Sequence, residues 1–129
     1  MTRERSYQDL IAWQMAMVLV EGVYRETASW PADERFGFTS QVRRAVVSVP
    51  ANIAEGSGRN GSAELRHFLS IAHGSLWEAQ THRDIAERLG FMSPPIVASL
   101  SEQADEISRV INGLIRSLDR RRSPAPSIG

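Results

Sequence analysis

The stretch from Gln41 to Arg59, QVRRAVVSVPANIAEGSGR, combines the apolar spacing of an α-helix with a proline in its interior. Apolar side chains recur at positions 42, 46, 49 and 53, which form one face of a helix. Pro50 has no N–H to donate to the carbonyl of Val46, and its ring crowds the preceding turn. We therefore predict a helix over about residues 39–57 that is kinked at Pro50.

Polar side chains follow another face of this helix, at Gln41, Arg44, Ser48, Asn52 and Glu55. One interpretation is a face exposed to solvent. The other is a hydrogen-bonded seam against a second helix or a second subunit. The segment as a whole supplies the candidate structural motif, whose residues are Ser48, Pro50, Asn52, Glu55 and Gly56.

Three other segments show helical spacing, at about residues 9–28, 63–89 and 93–118, and turn-forming residues separate them. No segment alternates between polar and apolar residues as a half-buried strand would. The sequence therefore predicts an all-α domain of four helices within residues 1–118. Residues 119–129 contain arginine and proline and are predicted to form a flexible C-terminal tail.

The first predicted helix carries two apolar stripes. One consists of Leu10, Trp13, Met17, Val20 and Tyr24, and the other of Ile11, Met15, Val18 and Gly22. A helix in a solitary four-helix bundle needs one buried face, so a second stripe predicts a partner chain. Trp77 lies on the polar side of the third helix and supports the same expectation. We therefore predict an oligomer interface at Ile11, Met15, Val18 and Trp77.

The last two helices have clear core faces. Apolar residues in the third are Leu65, Phe68, Leu69, Ala72, Leu76, Ala79 and Ala86, and Arg83 falls in the same stripe. A buried Arg83 would need a carboxylate partner, and the other possibility is that its guanidinium reaches solvent near the helix end. Alternating steps of three and four connect Val97, Leu100, Ala104, Ile107, Ile111, Leu114 and Leu118, as in the seam of a helical bundle.

The composition restricts the classes of function. The chain has 129 residues, which suits one domain, and it has no cysteine for disulfides or thiolate metal sites. Its 15 basic and 15 acidic residues give a net charge of zero, whereas nucleic-acid-binding domains are usually basic. No apolar segment is long enough to span a bilayer, and no N-terminal signal pattern is visible. We expect a cytoplasmic protein with no membrane partner.

The familiar catalytic and metal-binding patterns are incomplete. Residues 56–61 match G-x-G-x-x-G, but the dinucleotide-binding version follows a strand, and here the pattern follows a helix. Glu64 with His67, and Glu78 with His82, supply too few ligands for a metal. No serine, histidine and acid stand in a recognisable triad. We therefore expect no enzyme activity, no catalytic residue, no metal and no cofactor.

The chain resembles a known family in several short matches. They are Tyr7-Gln8-Asp9-Leu10, Trp13-Gln14, Arg35-Phe36-Gly37, Thr39-Ser40-Gln41, Arg43-Arg44, the run from Ser48 to Gly56, Gly58-Arg59, Glu64, Phe68-Leu69, Ile71-Ala72, Gly74-Ser75 and Leu89-Gly90-Phe91. On these residues the chain resembles the four-helix-bundle proteins of the 23S rRNA intervening-sequence family, over about residues 7–118. The run S-V-P-A-N-I-A-E-G is the most specific match.

The resemblance implies an antiparallel, up-down four-helix bundle that assembles into a ring-like homo-oligomer, a pentamer. It implies no enzyme activity and no catalytic residue. One related branch, the accessory variability proteins of diversity-generating retroelements, forms basic rings that contact nucleic acid. This chain differs from that branch in its net charge of zero.

Two functions of different classes follow from these observations. The first is a non-enzymatic, homo-oligomeric scaffold or adaptor. The alternative is an accessory protein that binds RNA or DNA through arginines on the surface of the oligomer. Its candidate contacts are Arg43, Arg44, Arg59, Arg66, Arg120, Arg121 and Arg122.

Overall fold

The computed structural model describes residues 7–122, and it describes the side chains of residues 11–120. The four helices are α1 (Tyr7–Thr27), α2 (Phe38–Ser57), α3 (Ser62–Arg88) and α4 (Pro94–Arg122). A short 3₁₀ helix, Ala32–Glu34, lies between α1 and α2. None of residues 7–122 is in a strand, so the expectation of an all-helical fold of four helices is confirmed for this part of the chain.

The helix boundaries agree with the prediction at most ends. Gly61 precedes α3 with a φ of 93°, a backbone conformation that favours glycine because it has no Cβ. Helix α2 begins one residue before the predicted Thr39 cap. Gly37 stands at the cap position, and Thr39 lies inside the helix with its side chain buried.

The predicted end of the last helix at residue 118 is wrong. Helix α4 continues to Arg122, so the first four residues assigned to the tail are helical. Arg66 Nε and Nη2 donate hydrogen bonds to the Asp119 carboxylate at 2.7 and 3.2 Å, which ties the last turns of α4 to the start of α3. Residues 123–129, the remainder of the predicted tail, lie outside the described residues.

The core face of α1 differs from the prediction. Ala12, Ala16, Leu19 and Val23 are its buried apolar residues, and they lie between the two predicted stripes. Members of both stripes, among them Trp13, Met15 and Val20, are partly buried and pack against this core from its flanks. Met15, from the stripe that the sequence assigned to a partner chain, therefore packs within its own subunit.

Helices α3 and α4 use the faces that the sequence predicted. The buried residues are Leu65, Leu69, Ala72, Leu76 and Ala86 on α3, and Leu100, Ala104, Ile107, Ile111 and Leu118 on α4. Val97 and Leu114 complete the α4 stripe as partly buried neighbours of the core. Large aliphatic residues at regular helical spacing identified both faces correctly.

The helices pack around one core. Helix α1 contacts α2 and α4, and α3 also contacts α2 and α4. Within the described part of the chain, α1 and α3 make no close approach to each other. They therefore stand diagonally across the core, and their outer faces point to different sides of the molecule.

A small cavity remains in the core, with a volume of about 30 Å³. All four helices reach it, through Leu19, Val42, Leu76 and Leu100 among others. Arg83 also lines it, and its mostly buried side chain pairs with Asp84 at 3.0 Å. This arrangement supplies the carboxylate partner that a buried arginine at this position requires.

Candidate functional site

The predicted interface residues on α1 differ in exposure. The side chain of Val18 is exposed, with 55% of its surface accessible, and Ile11 and Met15 are partly buried. Met15 packs against the core, so it contributes to the stability of the subunit itself. Val18 is therefore the residue of this stripe that is available to a partner.

Trp77 is the exposed member of the predicted interface on α3, with 60% of its surface accessible. Its ring lies edge-on to that of His73, with 6.3 Å between the centroids. His73 Nε2 is 2.9 Å from Ser108 Oγ on α4, which fixes the imidazole beside the indole. Burial lowers the pKa of His73, because desolvation disfavours the charged imidazolium.

Val18 and Trp77 lie on different sides of the subunit. Val18 is on α1 and Trp77 is on α3, and these two helices do not approach each other closely in the described part of the chain. The predicted interface residues therefore do not form one continuous patch. Val18 and Trp77 thus belong to separate surfaces of the subunit.

The motif residues Ser48 and Asn52 form a hydrogen-bonded seam between α2 and α3. Asn52 Nδ2 donates to the Ser48 carbonyl at 2.8 Å and to Ser48 Oγ at 2.9 Å. Ser48 Oγ in turn lies 2.8 Å from Ser75 Oγ on α3. The seam joins helices within one subunit, and the outer residues of the same polar face, Gln41 and Arg44, are exposed.

Pro50 and Gly56 occupy buried positions of α2, and the helix continues through Pro50. A Cβ added to Gly56 would lie 2.8 Å from the Cβ of Phe68 and 3.2 Å from Cδ1 of Leu65. Both distances are shorter than ordinary van der Waals contacts, so only glycine allows α2 to pack this closely against α3. The end of the motif thus has a packing role.

Glu55 and Arg59 form an ion pair at the exposed end of α2, with 2.6 Å between Oε1 and Nη2. The guanidinium also lies over the ring of Phe68, 5.1 Å from its centroid, and 4.0 Å from Glu64. A hydrogen bond and the charge of Glu55 raise the pKa of Arg59 further above its ordinary value. Arg59 therefore already has an anionic partner.

Arg66 and Arg43 are also engaged within the subunit. Arg66 is held by Asp119, and this hydrogen bond raises its pKa. Arg43 Nε donates to Thr27 Oγ1 at 2.9 Å, and its guanidinium stacks over Tyr24 at 4.5 Å. A phosphate bound to Arg59 or Arg66 would have to compete with a carboxylate that is already in place.

The remaining predicted nucleic-acid contacts are at separate places. Arg44 is exposed on α2 and has no ion-pair partner among the described side chains. Arg120 is exposed near the end of α4, and the side chains of Arg121 and Arg122 lie outside the described residues. The structure thus places the candidate arginines on α2, α3 and α4 and, for Arg59, in the connection between α2 and α3, and it brings no large group of them together within the described region.

The metal-binding patterns remain incomplete in three dimensions. No group of three or more His, Cys, Asp or Glu residues within the described part of the chain is arranged to hold a metal. Glu78 Oε1 lies 3.6 Å from Nε2 of His82, and His82 is buried against Phe38, with ring centroids 5.7 Å apart. The G-x-G-x-x-G segment joins the end of α2 to the start of α3, with no strand before it in the described region.

An aromatic cluster at one end of the helices was not predicted. Trp30 stacks on Phe38 with 5.5 Å between centroids and also contacts Phe91 at 5.5 Å. These residues lie outside the periodic helical stripes, next to helix ends. The pattern that could have identified them is the presence of large aromatic residues in short connections, where polar residues are usual.

The family model for the 23S rRNA-intervening sequence protein matches residues 8–113 of the chain. Among solved structures, the chain is similar to a protein of unknown function from the S23 ribosomal protein family of Bacteroides thetaiotaomicron. Sequence identity is 19%, the match covers 84% of this chain and 98% of the other, and the TM-score is 0.76. At this identity the similarity demonstrates a shared fold. No curated protein matches the sequence, and none of the helices in the described region has an apolar stretch suited to crossing a membrane.

Proposed function

Because the chain belongs to the 23S rRNA-intervening sequence protein family, we propose that it is a non-enzymatic protein that assembles into a ring of identical subunits and acts as a scaffold or adaptor. The family resemblance noted in the sequence favours a pentameric ring, and the composition without cysteine suits the cytoplasm. No enzymatic family is indicated by the comparisons.

The ring is supported by the positions of two exposed apolar side chains on opposite sides of the subunit. Val18 and Trp77 are two of the exposed apolar side chains of the described residues, and they lie on helices that stand diagonally across the core. The α1 surface of one copy can pack against the α3 surface of the next. The first copy then keeps its α3 surface free and the second keeps its α1 surface free, so further copies can be added in the same way. Such head-to-tail contacts generate a closed ring when the rotation between neighbours closes.

The internal contacts support the bundle that such a ring requires. Arg66, near the start of α3, pairs with Asp119, near the end of α4, whereas Gln80, later in α3, pairs with Asp105, earlier in α4. Pairs of this kind are typical of helices that run in opposite directions. We infer an antiparallel bundle in which Pro50 bends α2, because its missing N–H interrupts the hydrogen-bond ladder.

The alternative, binding of RNA or DNA through surface arginines, is less favoured by the side-chain partners. Arg59 and Arg66 pair with carboxylates, and Arg43 is held by Thr27 and Tyr24. Arg44 and Arg120 are the described candidates that keep an exposed guanidinium without such a partner. Two arginines that lie far apart can contact only a few phosphates of a nucleic acid, so they would bind it weakly.

The test of the ring is the mass of the purified protein in solution. We expect a mass that is a multiple of the 14.4 kDa subunit by light scattering after gel filtration. Val18→Asp should reduce it to one subunit, because the interface would have to bury an unpaired carboxylate. Ala98→Asp, which places the same charge on an exposed position of α4, is the matched control and should keep the assembly.

A monomeric wild-type protein at high concentration would contradict the ring. An assembly that tolerates Val18→Asp would instead show that a different surface is used. Binding of RNA, measured first at low salt and then at higher salt, tests the alternative function. Phosphate contacts give an affinity that falls steeply as the salt concentration rises. If the protein is a scaffold or adaptor, we expect no salt-sensitive binding of RNA.

A further inference from the structure

Asparagine is followed by glycine at two places in the chain, Asn60-Gly61 and Asn112-Gly113. In such a pair the backbone nitrogen of the glycine can attack the side-chain amide carbon of the asparagine, because glycine has no side chain to hinder the approach. Asparagine is for this reason among the thermolabile residues of proteins. The two pairs contain the same reacting groups, so the structure around each pair decides how readily it reacts.

The pair Asn60-Gly61 lies in the connection between α2 and α3, and both residues are exposed. Within the described part of the chain, the Asn60 side chain has no hydrogen-bond partner, and the Gly61 N–H donates no hydrogen bond. A Cβ added to Gly61 would have no atom within 4 Å, so the connection is open to solvent on this side. The amide carbon and the nitrogen that attacks it are therefore both accessible in the folded protein.

The pair Asn112-Gly113 lies inside α4 (Pro94–Arg122). Each N–H within an α-helix donates to the carbonyl four residues earlier, so the Gly113 N–H is bonded to the carbonyl of Arg109. Asn112 is also partly buried. Attack by the Gly113 nitrogen would require α4 to open locally. The chain thus contains its own control, in which the helix protects the same two residue types.

We propose that Asn60 is a modification site, at which the folded protein converts asparagine to aspartate and isoaspartate without an enzyme. The Gly61 nitrogen forms a bond to Cγ of Asn60 and gives up its proton, and Nδ2 takes up a proton and leaves as ammonia. The product of this step is a cyclic succinimide. Water then adds to one of its two carbonyl carbons and breaks the bond from that carbon to the ring nitrogen. Breaking the bond at Cγ gives aspartate, and breaking the bond at the main-chain carbon gives isoaspartate.

The modification adds one negative charge to a subunit whose net charge is zero. The new carboxylate follows Arg59, whose guanidinium pairs with Glu55 at 2.6 Å, and it precedes the start of α3 at Ser62. Negative charge near the N-terminus of a helix is favoured by the helix dipole, so we expect the fold to accept the aspartate form. The site lies within one subunit, so the proposal goes beyond the scaffold function and does not depend on the ring.

The test follows both pairs in the same sample of full-length folded protein, kept at mildly alkaline pH. A protease that cuts after glutamate releases residues 56–64 and 107–129, each with one asparagine. Mass spectrometry measures the conversion of each peptide over time, and chromatography separates the isoaspartyl form from the aspartyl form. The Asn60→Asp variant supplies the aspartyl standard. We expect Asn60 to convert at least about tenfold faster than Asn112, because Gly113 can react only in the small fraction of molecules in which α4 has opened.

Two variants and one change of condition identify the cause of the difference. Asn60→Gln should abolish the conversion in residues 56–64, since the longer side chain would have to close a larger ring. Asn112→Gln should leave that conversion unchanged. Unfolding the wild-type protein in urea should accelerate the reaction at Asn112 by about tenfold or more and at Asn60 by less than about threefold, because the connection is already open in the folded state.

Two results would overturn the proposal. One is a rate at Asn60 in the folded protein that is no higher than the rate at Asn112. The other is an acceleration on unfolding that is as large at Asn60 as at Asn112. Either result would mean that the folded connection between α2 and α3 protects Asn60 as well as α4 protects Asn112.

Discussion

Gly56 shows how one residue in the motif determines the distance between two helices. The space where its Cβ would lie is bordered by the Cβ of Phe68 at 2.8 Å and by Cδ1 of Leu65 at 3.2 Å. The neighbouring atom at Phe68 is attached directly to the backbone of α3, so it cannot move away without shifting that helix. The glycine therefore allows the close packing of α2 and α3.

We expect Gly56→Ala to lower the free energy of unfolding by about 2 kcal/mol, because the added methyl group overpacks the α2–α3 contact. Gly74→Ala is the matched control. Gly74 is exposed within α3, and a Cβ added there would have no side chain or neighbouring helix within 4 Å. Gly74→Ala should raise the free energy of unfolding by up to about 1 kcal/mol, because alanine has a higher helix propensity than glycine. Urea unfolding of both variants measures the difference, and equal stabilities would contradict this account.

His73 makes the stability of the protein depend on pH. Burial lowers its pKa below the ordinary value of 6.5, so the unfolded chain binds the proton more readily than the folded one. Its contribution to stability is complete above that value and is lost as the pH falls towards the lowered pKa. We expect urea unfolding to show a loss of stability between pH 7.5 and pH 5.5 that is smaller in His73→Gln. His67→Gln removes an exposed imidazole of the same helix and should retain the wild-type loss.

At the scale of the elements, the sequence predicts helices better than it predicts which face of α1 is buried. Its core face contains Ala12 and Ala16, whose small side chains add little to an apolar pattern and allow close approach of neighbouring helices. The larger residues on both sides, such as Met15 and Val20, dominate the pattern although they only flank the core. In α4 the large residues are also the buried ones, and the prediction was correct.

The end of α4 depends on a contact that local patterns do not contain. Arg66 and Asp119 are 53 residues apart in the chain, and their two hydrogen bonds hold the last turns of the helix. The position of Trp30 is similar in this respect, because this residue belongs to no periodic stripe and packs against Phe38 and Phe91. Tertiary packing brings such residues together, whereas the motif from Ser48 to Gly56 could be singled out directly.

Pro50 provides a test at the level of one helix. Pro50→Ala restores an N–H that can donate to the carbonyl of Val46, and we expect α2 to straighten and the assembly to weaken. Light scattering of the purified variant measures the mass, and thermal unfolding measures stability. Ala51→Ser, at the exposed position next to it, is the control and should behave as the wild type. An unchanged mass together with an unchanged stability would contradict the role of the proline.

At the scale of the whole molecule, the family resemblance and the helical fold are confirmed. The small cavity in the core was not predicted from the sequence. The cavity lies where all four helices meet, so its size depends on the fit among residues distant in sequence. Periodicity identifies which residues face inward, but it does not specify how closely they fill the space.

Filling that cavity should stabilise the subunit. We expect Val42→Ile, which adds one methylene at a cavity-lining position, to raise the free energy of unfolding by about 0.8 kcal/mol. Val49→Ile is the matched control, since Val49 is fully buried in α2 but does not line the cavity. There the same addition should destabilise by about 1 kcal/mol or more. Chemical denaturation compares the two, and equal effects would show that the cavity does not govern the outcome.

The contrast between Trp30 and Trp77 provides an internal optical reporter. Trp30 is enclosed by aromatic rings, whereas Trp77 is largely open to solvent. Water around an indole moves its fluorescence to longer wavelengths, so the red part of the emission of an isolated subunit should come mainly from α3. If copies meet at that face, dilution would shift the emission to the red as they separate, and no dye would be needed to follow them.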